Sequence, residues 1–249
     1  KRYPGHAYKV MNALWGQGQL MLAKVIVVFD ADVDVHDVVG CWQRALSSID
    51  VGCDVHFTPG PVDVLDHASH AFSYGTKLGI DATSKLPEEL SRGDVRPAPA
   101  RTPAPTDLEA LRVAVPELKR CHLGAGGHLL FVTIQKRAPY QVRQVLQALW
   151  AQRRTPVPTA TVVLDDDVEV HNPQEVWWVA LNNIDARRDV ALGPDASVPT
   201  HLGIDATRKW PEEGFTRRWP ERLEMSSEIK QQVDRRWGEL GIVLPLEGR

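Results

Sequence analysis

The stretch "KVIVVFDADVDVHD", Lys24 to Asp37, decides the fold. Its apolar run is β-branched and too short for a buried helix, so a strand is expected. Carboxylates follow at alternate positions, Asp30, Asp32 and Asp34. Next comes "VVGCWQRALSSI", where Val39, Trp42, Ala45, Leu46 and Ile49 fall on one helical stripe. Upstream, "PGHAYKVMNALWGQ" places Ala7, Val10, Met11 and Leu14 at helical spacing, with Pro4 suited to a first turn. Downstream, "DVHFTP" reads as a short strand. Helices alternating with strands predict an α/β sandwich with a mainly parallel sheet.

The same order is written twice. "KRYPGHAYKVMNALWGQ" at Lys1 matches "KRAPYQVRQVLQALWAQ" at Lys136, and the strand at Lys24 matches "ATVVLDDDVEVHN", Ala160 to Asn172. "CWQRALSSIDVGCDV" at Cys41 matches "VWWVALNNIDARRDV" at Val176, and "LGIDATSKLPEE" at Leu78 matches "LGIDATRKWPEE" at Leu202. The offset is 135 residues from Asp54 to Asp189 and 124 from Asp81 to Asp205, so the second copy is expected to have lost 11 residues (135 − 124) in between. The expected organisation is two tandem homologous α/β units, 1–94 and 108–249, joined by a Pro/Ala-rich linker at 95–107. The second copy begins with an apolar strand, Leu129 to Ile134, that runs directly into Lys136. By symmetry an equivalent strand is expected ahead of Lys1, and with it a longer native chain. The terminal stretch from Ser226 to Leu244 reads as a capped helix with Ile229, Val233, Trp237 and Leu240 on one face, suited to packing on its own domain or on a neighbour.

Composition excludes several classes. The 249 residues are 43% hydrophobic and 24% charged, with formal net charge −3, which provides no basic footprint for nucleic acid. No apolar run reaches the length of a membrane span. Three cysteines without a CxxC argue against a disulfide framework or zinc knuckle, and point to a reducing cytoplasm.

The strand-end carboxylates admit several chemistries. An EF-hand counted from Asp30 needs Gly and Glu where Val35 and Cys41 stand, so it fails. A haloacid-type phosphotransferase expects a hydroxyl residue where Asp34 and Glu169 stand. A metal-dependent nucleotide-sugar or phosphoryl transferase using Asp30/Asp32 or Asp165/Asp167 fits the pattern. So does a purely structural strand end, whose carboxylates accept backbone N–H groups and cap the next helix from Asp37 or Asn172. His36 and His171 recur at one place. His67 and His70 are spaced for one helix face and a metal pair. Lys77, Asp81 and Thr83 form a polar cluster in which Lys77 suits a phosphate, although His201 replaces it in the second copy.

Taken together, "KRYPGHA", "FDADV" and "LDDDV", "IDARRD", "LGIDATRKWPEE" and "IKQQVDRRWGELGI" resemble the C-terminal domain of UbiD-type carboxy-lyases, the 4-hydroxy-3-polyprenylbenzoate decarboxylase family. The resemblance implies a decarboxylase of aromatic or unsaturated acids in ubiquinone or menaquinone synthesis. It implies prenylated FMN with a divalent metal (Mn or Mg) and potassium in the parent enzyme. Those groups are expected in N-terminal domains, so no catalytic, cofactor-binding or metal residue is assigned to this chain. It also implies partnership with the protein's own flavin-binding domains and a homo-oligomer. On this resemblance the aspartates become a recurring structural strand end.

Overall fold

The computed structural model describes residues 1–90, 103, 105–197 and 199–241. Most of the expected linker, 95–107, lies outside the described residues. The chain divides into two compact units, Lys1–Trp219 and Pro220–Arg249.

The first copy runs α1 (His6–Trp15), β1 (Val25–Val28), α2 (Val38–Ser48), the one-turn α3 (Val51–Asp54), β2 (Val55–Pro61), β3 (Tyr74–Asp81) and α4 (Pro87–Leu90). Then follow α5 (Leu108–Ala114), β4 (Leu118–Gly124), a 3₁₀ turn at Ala125–Gly127, β5 (Leu129–Ile134) and α6 (Gln141–Trp150). The chain continues through β6 (Ala160–Asp165), α7 (Pro173–Asn182), α8 (Ala186–Asp189), β7 (Val190–Gly193) and β8 (His201–Asp205). Caps appear where the sequence places them: Asp37 accepts from Gly40 N–H, and Asn172 accepts from Gln174 and Glu175 N–H ahead of Pro173.

The expectation of mainly parallel sheets is corrected. One sheet has the order β1-β3-β2 and the other β4-β5-β6-β8-β7. β1–β3, β5–β6 and β6–β8 are parallel, while β2–β3, β4–β5 and β7–β8 are antiparallel. The reason is the connections. The parallel neighbours β5–β6 and β1–β3 are joined by crossovers that carry helices. β7 and β8 are joined by a short return, which closes an antiparallel pair. Register repeats between copies: Val25 faces Leu78 as Ala160 faces Leu202.

Gly79 and Gly203 occupy matching places in β3 and β8. A Cβ at Gly79 would lie 2.6 Å from Met11 Sδ, and one at Gly203 would lie 2.5 Å from a Leu146 methyl. These glycines let α1 and α6 lie directly on their strands.

The two sheets share one core. Ala45, Leu46, Ile49, Leu78 and Ile80 of the first copy cluster with Ala125, Leu129, Phe131, Val162 and Ile204 of the second. Trp42 of α2 stacks on Trp177 of α7 with ring centroids 4.5 Å apart and planes 8° apart. These two tryptophans hold the same place in the two copies, 135 residues apart. A contact between matching positions is what a two-fold arrangement of the two repeats would produce.

The second unit contains α9 (Ser227–Arg236), capped by Ser226 Oγ, and a 3₁₀ turn at Trp237–Leu240. Ile229, Val233, Trp237 and Leu240 are all exposed. Among the described residues no helix is long and apolar enough to cross a membrane.

Candidate functional site: two matched charge clusters at the strand ends

The carboxylates after β1 and β6 are consumed by the chain itself. Asp30 Oδ2 accepts Ser84 N–H at 2.6 Å, and Asp165 Oδ2 accepts Arg208 N–H at 2.7 Å. Asp34 and Glu169 each accept the N–H two residues on, from His36 and His171. The Asp30 and Asp165 contacts tie the end of one strand to the loop after its parallel neighbour, whereas those of Asp34 and Glu169 stay within their own loop. Asp32 is exposed.

Around them sits a cluster that single-sequence reasoning missed. In the second copy Lys136 Nζ lies 2.6 Å from Glu213 and also donates to the Arg208 carbonyl at 2.7 Å. Glu213 accepts N–H from Tyr140 and Trp210, both at 2.9 Å. Lys209 Nζ bridges Asp205 at 2.7 Å and Asp189 at 3.5 Å. The first copy repeats this group by group. Lys1 Nζ meets Glu89 at 2.6 Å and Asp81 at 3.4 Å. Glu89 accepts from Gly5 and Leu86 N–H, both at 2.8 Å, and Lys85 bridges Asp54 at 2.9 Å and Asp81 at 3.2 Å. Gly5 and Tyr140 are both left-handed, with φ of 74° and 59°, which presents their N–H groups to the glutamates. The signal available in sequence was the doubled "GIDAT-K-PEE", whose lysine and glutamate are the cluster members.

Electrostatics separate the groups. Burial pushes the Asp205 carboxyl up, but Lys209, Lys136 and the Thr207 hydroxyl outweigh it and hold it below the usual range. Burial is likewise outweighed at Asp30, chiefly by Ser84, and at Glu89, by Gly5 N–H and the Lys1 side chain. Asp54 and Asp165 go the other way, raised by burial that their partners offset only in part. Asp165 pairs with Ile134 of β5, whereas Asp30 lies beyond the end of β1.

The signs fix a pH prediction. A carboxyl lowered in the fold contributes stability that is present above its unfolded value, about pH 4, and lost as pH falls through its folded value. The raised Asp54 and Asp165 work in the opposite sense and in a different window: they add stability as pH falls toward about 4 and change nothing below it. Urea midpoints measured from pH 6 downward should therefore fall below about pH 4. Asp205→Asn should fall less steeply there, and parallel curves would contradict the assignment.

The other candidates have structural partners. Lys77 is buried with its ammonium on the Met21 carbonyl, and burial lowers its pKa. The segment with His67 and His70 is not helical: it lies in the loop between β2 and β3, within the longer stretch peculiar to the first copy. That loop docks on the second copy. His67 Nε2 lies 3.1 Å from Asn183 Oδ1 and His70 Nδ1 lies 3.0 Å from Asp185, while Asp66 pairs within its own copy, 2.5 Å from Lys24. Arg188 and Arg217 donate to the Ala68, Asp66 and Ser69 carbonyls. Near His171, His122 sits at 4.7 Å between ring centroids, and its pKa is lowered by burial and then by that neighbour. His201 Nδ1 lies 2.8 Å from Thr200 Oγ1.

Among the described residues no three His, Cys, Asp or Glu side chains converge as a metal-holding group. Nor do these lysines make a phosphate cradle. Lys1, Lys85, Lys136 and Lys209 face carboxylates, and Lys77 faces a carbonyl. These five lysines do not fit a flavin phosphate.

Comparison with known proteins gives one family. The model for the 3-octaprenyl-4-hydroxybenzoate carboxy-lyase C-terminal domain (UbiD_C) matches residues 1–82 and 100–202. A protein of Archaeoglobus fulgidus is 38% identical over 148 residues, 53% of this chain and 31% of the relative. One of Aquifex aeolicus is 38% identical over 149 residues, covering 54% and 31%. The chain thus spans about a third of the length of these relatives. Among solved structures, the vanillic acid decarboxylase of Sedimentibacter hydroxybenzoicus in closed form matches with TM-score 0.43 and 18% identity, over 54% of this chain and 31% of that one. The UbiD-class enzyme HmfF of Pelotomaculum thermopropionicum in complex with prFMN matches with TM-score 0.39 and 20% identity, over 71% and 43%.

Proposed function

Since the chain belongs to the family of the 3-octaprenyl-4-hydroxybenzoate carboxy-lyase C-terminal domain, we propose that it is the non-catalytic C-terminal part of a longer UbiD-type decarboxylase. The parent enzyme acts on an aromatic or unsaturated carboxylic acid in quinone biosynthesis, in the cytoplasm. It uses prenylated FMN with a divalent metal and potassium held by its own N-terminal domains. The domain's work is to brace those flavin-binding domains and to support a homo-oligomer. Its two halves arose by tandem duplication: the family model matches one stretch in each copy, and the charge clusters correspond residue for residue.

One observation carries the structural role. The buried charges at the strand ends are directed at partners inside the chain, as expected of a scaffold and not of a site that must greet a ligand. The same observation weighs against the transferase reading, because Asp30 and Asp165 already accept backbone N–H groups. Fluorescence titration of this chain with FMN should show no saturable binding. The longer parent, loaded with prenylated FMN, should release carbon dioxide from its acid substrate. Tight flavin binding by the 249-residue chain would overturn the assignment.

A further inference from the structure

The two-fold relation between the halves is incomplete on one side, and three features show it. In the second copy β6 is flanked on both edges, by β5 and β8. Its counterpart β1 pairs only with β3 among the described residues. Leu78 N–H donates to the Lys24 carbonyl and Ala82 N–H to the Val28 carbonyl, so the even-numbered residues of β1 face β3. Val25 and Val27, by alternation, present their backbone groups to the open edge. At the place matching Val25, Ala160 N–H donates to the His128 carbonyl at the start of β5, at 3.1 Å.

The second feature is the loop after the strand. Arg120 and His122 of β4 reach the 166–171 loop, through the Asp166 carbonyl, Glu169 and the His171 ring. Val170 in that loop is 1% exposed, whereas its counterpart Val35 is 64% exposed. The third lies across the two-fold. α2 packs on the Ala125–Gly127 turn between β4 and β5, and Leu46 is 0% exposed. The matching Leu181 of α7 is 37% exposed.

One body would close all three. The β4–turn–β5 hairpin covers the edge of β6, the loop after it and the helix of the other half. Its two-fold image would cover β1, Val35 and Leu181 together. We infer that β1, Val35 and Leu181 form a docking surface for a β-hairpin, supplied by the polypeptide leading into Lys1, with its inner strand parallel to β1. The source follows from the connection: β5 is separated from Lys136 by Gln135 alone, so the strand in the matching place must run into Lys1. This inference rests on the duplication described above but not on the decarboxylase reading, and its test involves no flavin or substrate.

The experiment compares the 249-residue chain with the same chain carrying its own segment Leu118–Gln135 copied ahead of Lys1. Hydrogen exchange at the Val25 and Val27 amides should slow on the order of tenfold or more in the extended chain, as each gains a backbone partner. Ile26 and Val28, already facing β3, should change little. A copy carrying Val132→Pro, which cannot complete the ladder, should give no protection. Unchanged exchange at Val25 and Val27 in a folded extended chain would overturn the inference. So would protection of both amides in the unextended chain that rises with concentration, since a second copy would then be the occupant.

Discussion

Glu213→Ala is expected to cost about 3–5 kcal/mol of folding stability, the range for removing one partner of a buried ion pair. Glu213 and Lys136 are 4% and 3% exposed at their side chains. The substitution strands the Lys136 ammonium and also removes the acceptor for Tyr140 and Trp210 N–H. Lys136→Met should cost less, because Glu213 keeps its two backbone donors. The double variant should cost less than the two singles added, since they share one interaction. Glu89→Ala, at the matching place, should be milder, since Glu89 is 15% exposed and better hydrated. Urea unfolding monitored by tryptophan fluorescence would measure each. A loss below about 1 kcal/mol for Glu213→Ala, the size of an exposed pair, would remove the cluster from the list of things that hold the fold.

Trp177→Ala should be nearly as damaging, toward the lower end of the roughly 3–5 kcal/mol for a large aromatic, because Trp177 is only half-buried. It abolishes the stack on Trp42 and the edge contact with Phe131, whose ring centroid is 5.6 Å away. A cycle with Trp42→Ala isolates the stack, with an expected coupling of about 0.5–1.5 kcal/mol. Additive losses would mean that the rings merely lie side by side.

Much of this was legible in the sequence because it is local or repeated. The β-branched runs at Val25 and Thr161, the caps at Asp37 and Asn172, and the matched motifs need no knowledge of distant neighbours. The charge clusters were not legible, because Lys136 and Glu213 are 77 positions apart and Lys1 and Asp81 are 80 apart. Lysines and glutamates read by default as solvated. His67 and His70 misled for a related reason. Their spacing of three suggested one helix face, but their partners Asn183 and Asp185 stand 116 and 115 residues away. The antiparallel edges escaped because strand direction is set by the length of the return, and the Gly193–Thr200 return carries no helical pattern.

The stacked tryptophans have a consequence for how the halves could change over time. In a symmetric pair of separate chains, any substitution at the shared face appears twice and must suit itself. Here the two faces are encoded separately and tethered in one chain, so their encounter is insensitive to dilution. Each side is free to vary alone. The halves already differ in the loop bearing His67 and His70, which has its length in the first alone and meets Asn183 and Asp185 of the second. A self-matching contact has thereby become a directional one, with a half that clasps and a half that is clasped.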